Sequence, residues 1–362
     1  MPSCSAQLSN WRVPRSADAA AAFQNATRRA DAVGTVEAGV RRRVWDLIPL
    51  GYEVDMLWLH LKTLEPVVDG FLVTEATTTH TGDEPKPTFV HDALKNGTVP
   101  STAIAQKLRV RVVEFAAERR RFCPNAHSRC YEALQRFLLL EMLFEVAAPQ
   151  DLALVNDVDE FAKPSVVSML KHCYPFDDSS MLPSFVTLRL TLYKFGVHCD
   201  HGNSFELGTR AFSVHALKYA YGHQSRVSPA KREAMSADFT QTRSRPLSGP
   251  TVPNAGWHLT SFGDPENLSR KLRTFLHSNI FNGRDRVARG SLQVPRLERC
   301  MRHCLELDKP TPVPPCLSRN DRTSRPLPGI RRTEISTADL PRTLVNHRAT
   351  WPTAWFRFLD ES

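Results

Sequence analysis

Asn156-Asp157-Val158-Asp159-Glu160 places three carboxylates within four residues, directly after the apolar run Leu152-Ala153-Leu154-Val155. If that run is a buried strand, Asp157 and Asp159 lie at its C-terminal end. Two residues apart in extended chain, they point to one side. Carboxylates held side by side repel, so they need a cation or a shared proton to persist. A hard divalent ion with oxygen ligands suits them, with a substrate phosphate completing its shell.

Two further stretches carry ligand chemistry. Residues 254–263, centred on Gly256-Trp257-His258 and followed by Asp264, form the second informative stretch. Glu75 ends an apolar run and is followed by the polar segment 76–87, which contains Lys86. A loop leaving the C-terminal end of a strand is where open α/β sheets bind ligands. Two other groupings look like metal sites on paper. His198-Cys199-Asp200-His201 lies between Gly196 and Gly202 and reads better as a turn. Cys300 and Cys304 lack a second pair and read as helix residues.

These groups need elements to position them. Val44–Leu50 reads as a first strand, and residues 53–64 as a helix with Val54, Leu57, Trp58, Leu61 and Leu64 at helical spacing. Residues 67–74 form a second strand ending at Glu75, and this order favours a right-handed parallel crossover. Residues 107–115 alternate as a third strand. A helix from Ser128 to about Val146 leads into the acidic motif, with Glu132, Arg136, Glu141 and Glu145 facing mostly outward. Pro164 opens the next helix. Strands follow over 181–195 and 209–217, and 225–253 reads as a long loop or lid. Asp264 caps a further helix, with Pro265 in its first turn. The fold class is therefore α/β: one domain at 44–300 with a mostly parallel sheet flanked by helices. A disordered leader or stem at 1–43 precedes it. A Pro- and Arg-rich extension at 301–362 follows, its last segment docking on the body.

Composition sets the outer limits. The 362 residues carry a formal charge of +9 and 41% hydrophobic residues, which fits a globular chain whose partner is a nucleic acid, an acidic surface or an anionic substrate. No aromatic-interleaved basic patch or zinc finger would turn that charge into base readout, which leaves nucleic-acid binding a minor alternative. The eight cysteines permit disulfides, and Asn25, Asn96 and Asn267 head glycosylation triplets. No stretch reaches the ~18 apolar residues of a membrane span, and the N-terminus lacks a signal-peptide core.

Four blocks in register resemble glycosyltransferase family 17, the bisecting N-acetylglucosaminyltransferases (β-1,4-mannosyl-glycoprotein 4-β-N-acetylglucosaminyltransferases). They are Trp45–Thr74 with Glu75, Gly82–Pro87, Asn156–Glu160 with Pro164, and Gly256–His258 with Ser261, Phe262 and Lys271. The sequence departs from the family pattern at Asn156, where an acid is usual, and at 161–164, where Ile-Pro usually follows the acids.

The resemblance implies a GT-A type nucleotide-sugar transferase domain and an inverting, metal-dependent enzyme. It would use UDP-GlcNAc and a glycan or glycoprotein acceptor. On that reading Asp157, Asp159 and His258 hold Mn²⁺ or Mg²⁺, while Glu75, Glu160, Lys86 and Trp257 meet the donor. The catalytic base is Glu75, Asp264 or Glu266, with Glu75 the better placed for the nucleotide. A transferase with another donor or acceptor, or a glycan-binding protein, remains an alternative. The family's Golgi location implies a membrane anchor, which is absent from this chain.

Overall fold

The computed structural model describes residues 42–80, 84–122, 128–173, 185–205, 209–221, 250–274, 294–302, 340–352 and 355–356. A nine-stranded mixed sheet runs through it: β1 (Val44–Leu50), β2 (Gly70–Ala76), β3 (Leu108–Val113), β4 (Leu152–Val155), β5 (Glu160–Ala162), β6 (Phe185–Lys194), β7 (Asp200–Phe205), β8 (Arg210–Ser213) and β9 (Thr251–Thr260). The spatial order is β3-β2-β1-β4-β8-β6-β9-β5, with β7 paired to β6.

Helix α1 (Val54–Leu64) joins β1 to its parallel neighbour β2. Three helices not anticipated from the sequence, α2 (Phe89–Asn96), α3 (Thr102–Lys107) and α4 (Phe115–Phe122), surround β3. The long α5 (Ser128–Val146) feeds β4, and α6 (Pro164–Cys173) follows β5. Then come α7 (Val214–Tyr221), α8 (Pro265–Thr274), α9 (Val294–Arg302) and α10 (Arg342–Asn346).

Strand alternation sorts the core onto two faces. Val44, Ile48 and Leu50 of β1 join Phe71 and Val73 of β2 on the side covered by α1 and α2. Trp45, Leu47 and Leu72 face α5 and α7 on the other. Leu340, Leu344, Trp351, Trp355 and Phe356 belong to the first cluster, so the C-terminal segment lies in the principal core.

Three expectations are corrected. The sheet is evenly mixed rather than mostly parallel: β1–β2, β1–β4, β2–β3 and β6–β9 are parallel, but β4–β8, β5–β9, β6–β7 and β6–β8 are antiparallel. The links from β6 to β7 and from β7 to β8 are shorter than the dozen or more residues a parallel crossover needs. The strand expected over 209–217 ends at Ser213, whose hydroxyl accepts from Ala216 N at 3.0 Å and starts α7. The long loop expected over 225–253 gives way to β9 at Thr251, while residues 222–249 lie outside the described residues.

Candidate active site

β1, β2 and β4 run parallel and end on one edge of the sheet. The acidic motif is not extended there. The chain leaves β4 at Val155 and turns at once, with Glu160 N donating to Asp157 O at 3.1 Å. β5 then pairs with β9, which sets Glu160 opposite His258 and draws Leu259 N to Asp159 O at 2.8 Å. The acids and the imidazole, about a hundred residues apart in sequence, meet through this pairing. Gly256 permits it: a Cβ there would stand 2.2 Å from Phe161 O, so only glycine lets β5 ride this close.

The result is a cavity of about 350 Å³ whose wall includes Asp157, Asp159, Glu160, His258, Lys86 and Lys271. His258 Nε2 lies 3.8 Å from Asp159 and 4.0 Å from Glu160. Lys271 of α8 reaches Glu53 at 2.8 Å and Asp159 at 3.3 Å. Burial alone would push this ammonium's pKa down. The two carboxylates reverse that and hold it well above the ordinary lysine value.

From α5 come Glu132, Gln135 and Arg136, at i, i+3 and i+4 on one helical face. Arg136 is buried and pairs with both Glu132 and Asp157, so it faces the cavity rather than solvent as its sequence position suggested. Its neighbour Gln135 donates to Leu50 O and Thr74 O at 3.0 and 2.7 Å and accepts from His80 Nε2 at 2.9 Å. That one amide ties the ends of β1 and β2 to α5. The loop after β2 folds back through Lys86 N to Thr77 O at 2.7 Å. This brings Lys86 Nζ within 2.9 Å of Gly51 O, where burial lowers its pKa despite Glu75 and Glu53.

The remaining candidates lie outside the cavity lining. Glu75 is fully buried, its Oε1 3.8 Å from Lys86 Nζ, and its other carboxylate oxygen accepts from Val90 N at 3.1 Å and His91 N at 3.2 Å. It therefore caps α2, whose own N-cap Thr88 makes no such bond. Burial raises its pKa, against the pull of Lys86 and of the backbone donors. Asp264 accepts from Asn267 N at 2.6 Å and caps α8, with exposed Glu266 in the first turn. Trp257 packs its buried ring 5.8 Å from that of Phe161.

The fold is an α/β sheet with a cavity of acids and cations where β1, β2 and β4 end. The chain belongs to glycosyltransferase family 17: the model of that family, "Glycosyltransferase family 17", matches residues 32–295. It is a glycosyltransferase. A search of curated proteins found no match.

Proposed function

We propose that this enzyme transfers N-acetylglucosamine from UDP-GlcNAc to a mannose of an N-glycan core, in β-1,4 linkage with inversion, using Mn²⁺ or Mg²⁺. The observation that carries the reading is the convergence of Asp157, Asp159 and His258 on one cavity at the sheet's C-terminal edge.

The charge balance of the wall supports such an ion. Of the cavity's charged residues, Glu53, Glu132, Asp157, Asp159 and Glu160 outnumber Lys86, Arg136 and Lys271 by five to three. A diphosphate entering this wall needs a further cation to offset the excess. Among the described residues no three His, Cys, Asp or Glu side chains are gathered to hold a metal by themselves. An ion here would take Asp159 and His258, with Asp157 close by, and complete its shell from phosphate and water. When bound, it offsets the negative charge that gathers on the leaving diphosphate. Lys86, Arg136 and Lys271 add positive charge on the same wall.

Inversion also needs a base beside the acceptor hydroxyl. Glu75 and Asp264 are spent on capping helices, so we seek that base among the cavity carboxylates.

The location follows the same reading. Cys130, Cys173 and Cys199 are disulfide-bonded, which favours an oxidising compartment such as the Golgi lumen. Among the described residues no helix is long and apolar enough to cross a membrane.

The test is hydrolysis of a panel of nucleotide-sugars by the full chain, with Mn²⁺ and with EDTA, alongside Asp157→Ala and Asp159→Ala. Metal-dependent release of UDP from UDP-GlcNAc, lost in both variants, is the expected result. Turnover of another nucleotide-sugar instead would overturn the donor assignment, and turnover unchanged in EDTA would overturn the metal.

A further inference from the structure

We infer that Arg136 and Lys271 are the cations that bind the donor's diphosphate, and that until it arrives they hold Asp157 and Asp159 as internal counter-ions. This rests on the metal-dependent reading above and adds a coupling to it: the divalent ion and the nucleotide bind with positive cooperativity.

The two cations are built alike. Each has one anchoring carboxylate outside the acidic turn and a second partner within it. Glu132 accepts from Arg136 Nε and Nη2 at 3.1 and 2.9 Å, gripping one edge of the guanidinium. Nη2 also reaches Asp157, while Nη1 donates to Asn156 O at 3.4 Å. Lys271 sits closer to its anchor Glu53, at 2.8 Å, than to Asp159, at 3.3 Å. Losing the partner in the turn would therefore leave either cation anchored, on the same cavity wall and short of one negative charge.

Lys271 occupies Asp159 Oδ2 while Oδ1 faces His258, so an ion entering the turn shares these carboxylates with the cations already on them. Without nucleotide it adds two positive charges beside Arg136 and Lys271, leaving both cations undercompensated in a confined cavity. A diphosphate supplies the missing anion. Each ligand thus removes the cost the other meets, and linkage makes the effect reciprocal.

Titration calorimetry of the full chain tests this, using MnCl₂ alone, UDP alone, and each in the presence of the other. In the wild type, saturating UDP should tighten Mn²⁺ binding by at least about fivefold, the low end of ordinary coupling. Arg136→Met should then move the two affinities in opposite directions. Mn²⁺ alone binds more tightly because its competitor is gone, and UDP binds about tenfold more weakly because its ligand is gone. Arg136→Lys, which keeps a charge, should recover part of the UDP affinity.

A purely structural Arg136 would weaken both ligands together, and that outcome overturns the exchange. So does a wild type in which Mn²⁺ and UDP bind independently. A wild type that binds UDP but no Mn²⁺ in either titration overturns metal use itself and the exchange with it. If Arg136→Met does not fold, Lys271→Met reads the same competition from Asp159.

Discussion

Asn156 Nδ2 donates to Asp46 Oδ1 across 2.8 Å, and neither side chain has any solvent exposure. The other oxygen of Asp46 meets His60 Nε2 at 2.9 Å, and His60 Nδ1 meets Val158 O at 3.0 Å. A carbonyl only accepts, so Nδ1 carries a hydrogen. The acidic turn is thus held from behind at Asn156 and at Val158, through one carboxylate on β1 and one imidazole on α1. Beside a buried Asp46, a second carboxylate at position 156 would have no donor to offer.

Asn156→Asp should therefore destabilise the fold by about 3 kcal/mol, as expected for a buried charge lacking a partner. Urea unfolding measures it. The exchanged pair Asp46→Asn/Asn156→Asp restores one carboxylate and one amide and should recover more than half of the loss. If the single variant is as stable as the wild type, Asp46 already has all the partners it needs.

His60→Ala keeps Asp157, Asp159 and His258 but frees the turn at Val158. Removing a group that orients ligands typically costs roughly 10–100-fold in metal affinity or activity. The expected signature is a higher Mn²⁺ requirement at saturating donor, seen as a rise in the apparent KM for the ion. An unchanged Mn²⁺ requirement would confine His60 to stability.

How much of this was legible in the chain can be judged from particular residues. Ser128–Val146 stands out because its apolar residues recur at helical spacing over 19 residues, and Leu152–Val155 because four apolar residues end abruptly in acids. For Glu75, expected to meet the donor, the position at a strand end hides the parity. Glu75 alternates with Phe71 and Val73, which points it into the helix-covered face. Arg136 was misread for a related reason. Its helix is buried on nearly every side, so the outward face assumed for its charged residues is missing around Gln135 and Arg136. Nor could the chain reveal that Glu160 and His258 would be paired, because β5 is three residues long and its partner lies far away in sequence.

Asp151 predicts a pH dependence. Burial pushes its carboxyl pKa up, but the backbone N–H groups of Ala148 and Arg43, the Trp45 indole and the Arg43 side chain outweigh that and hold it below the ordinary carboxylate value. A depressed native pKa contributes stability that is present above the unfolded value and is lost as pH falls through the native one. Asp151→Asn should cost about 1.5–3 kcal/mol near neutral pH, the range for hydrogen bonds to a charged group. The gap between variant and wild type should shrink below about pH 4. Urea unfolding at pH 7 and pH 3 checks the sign, and a gap that widens in acid would rule out the ionised carboxylate as the source.

The C-terminal segment makes a prediction that separates stability from chemistry. Trp351 stacks on Trp355 with ring centroids 5.7 Å apart, donates to Thr343 O at 3.2 Å, and lies under Lys62 of α1. Trp355 in turn meets Phe262 just beyond β9, and its carbonyl accepts from Val197 N at 3.4 Å. These contacts close the principal core from outside the residues that match the family, and none of them lines the cavity. Trp351→Ala should lower stability by about 3–5 kcal/mol, the usual range for deleting a buried aromatic. The KM for donor, measured well below the melting transition, should stay within twofold of wild type. A large rise in KM with little change in melting temperature would instead make the segment part of the binding surface.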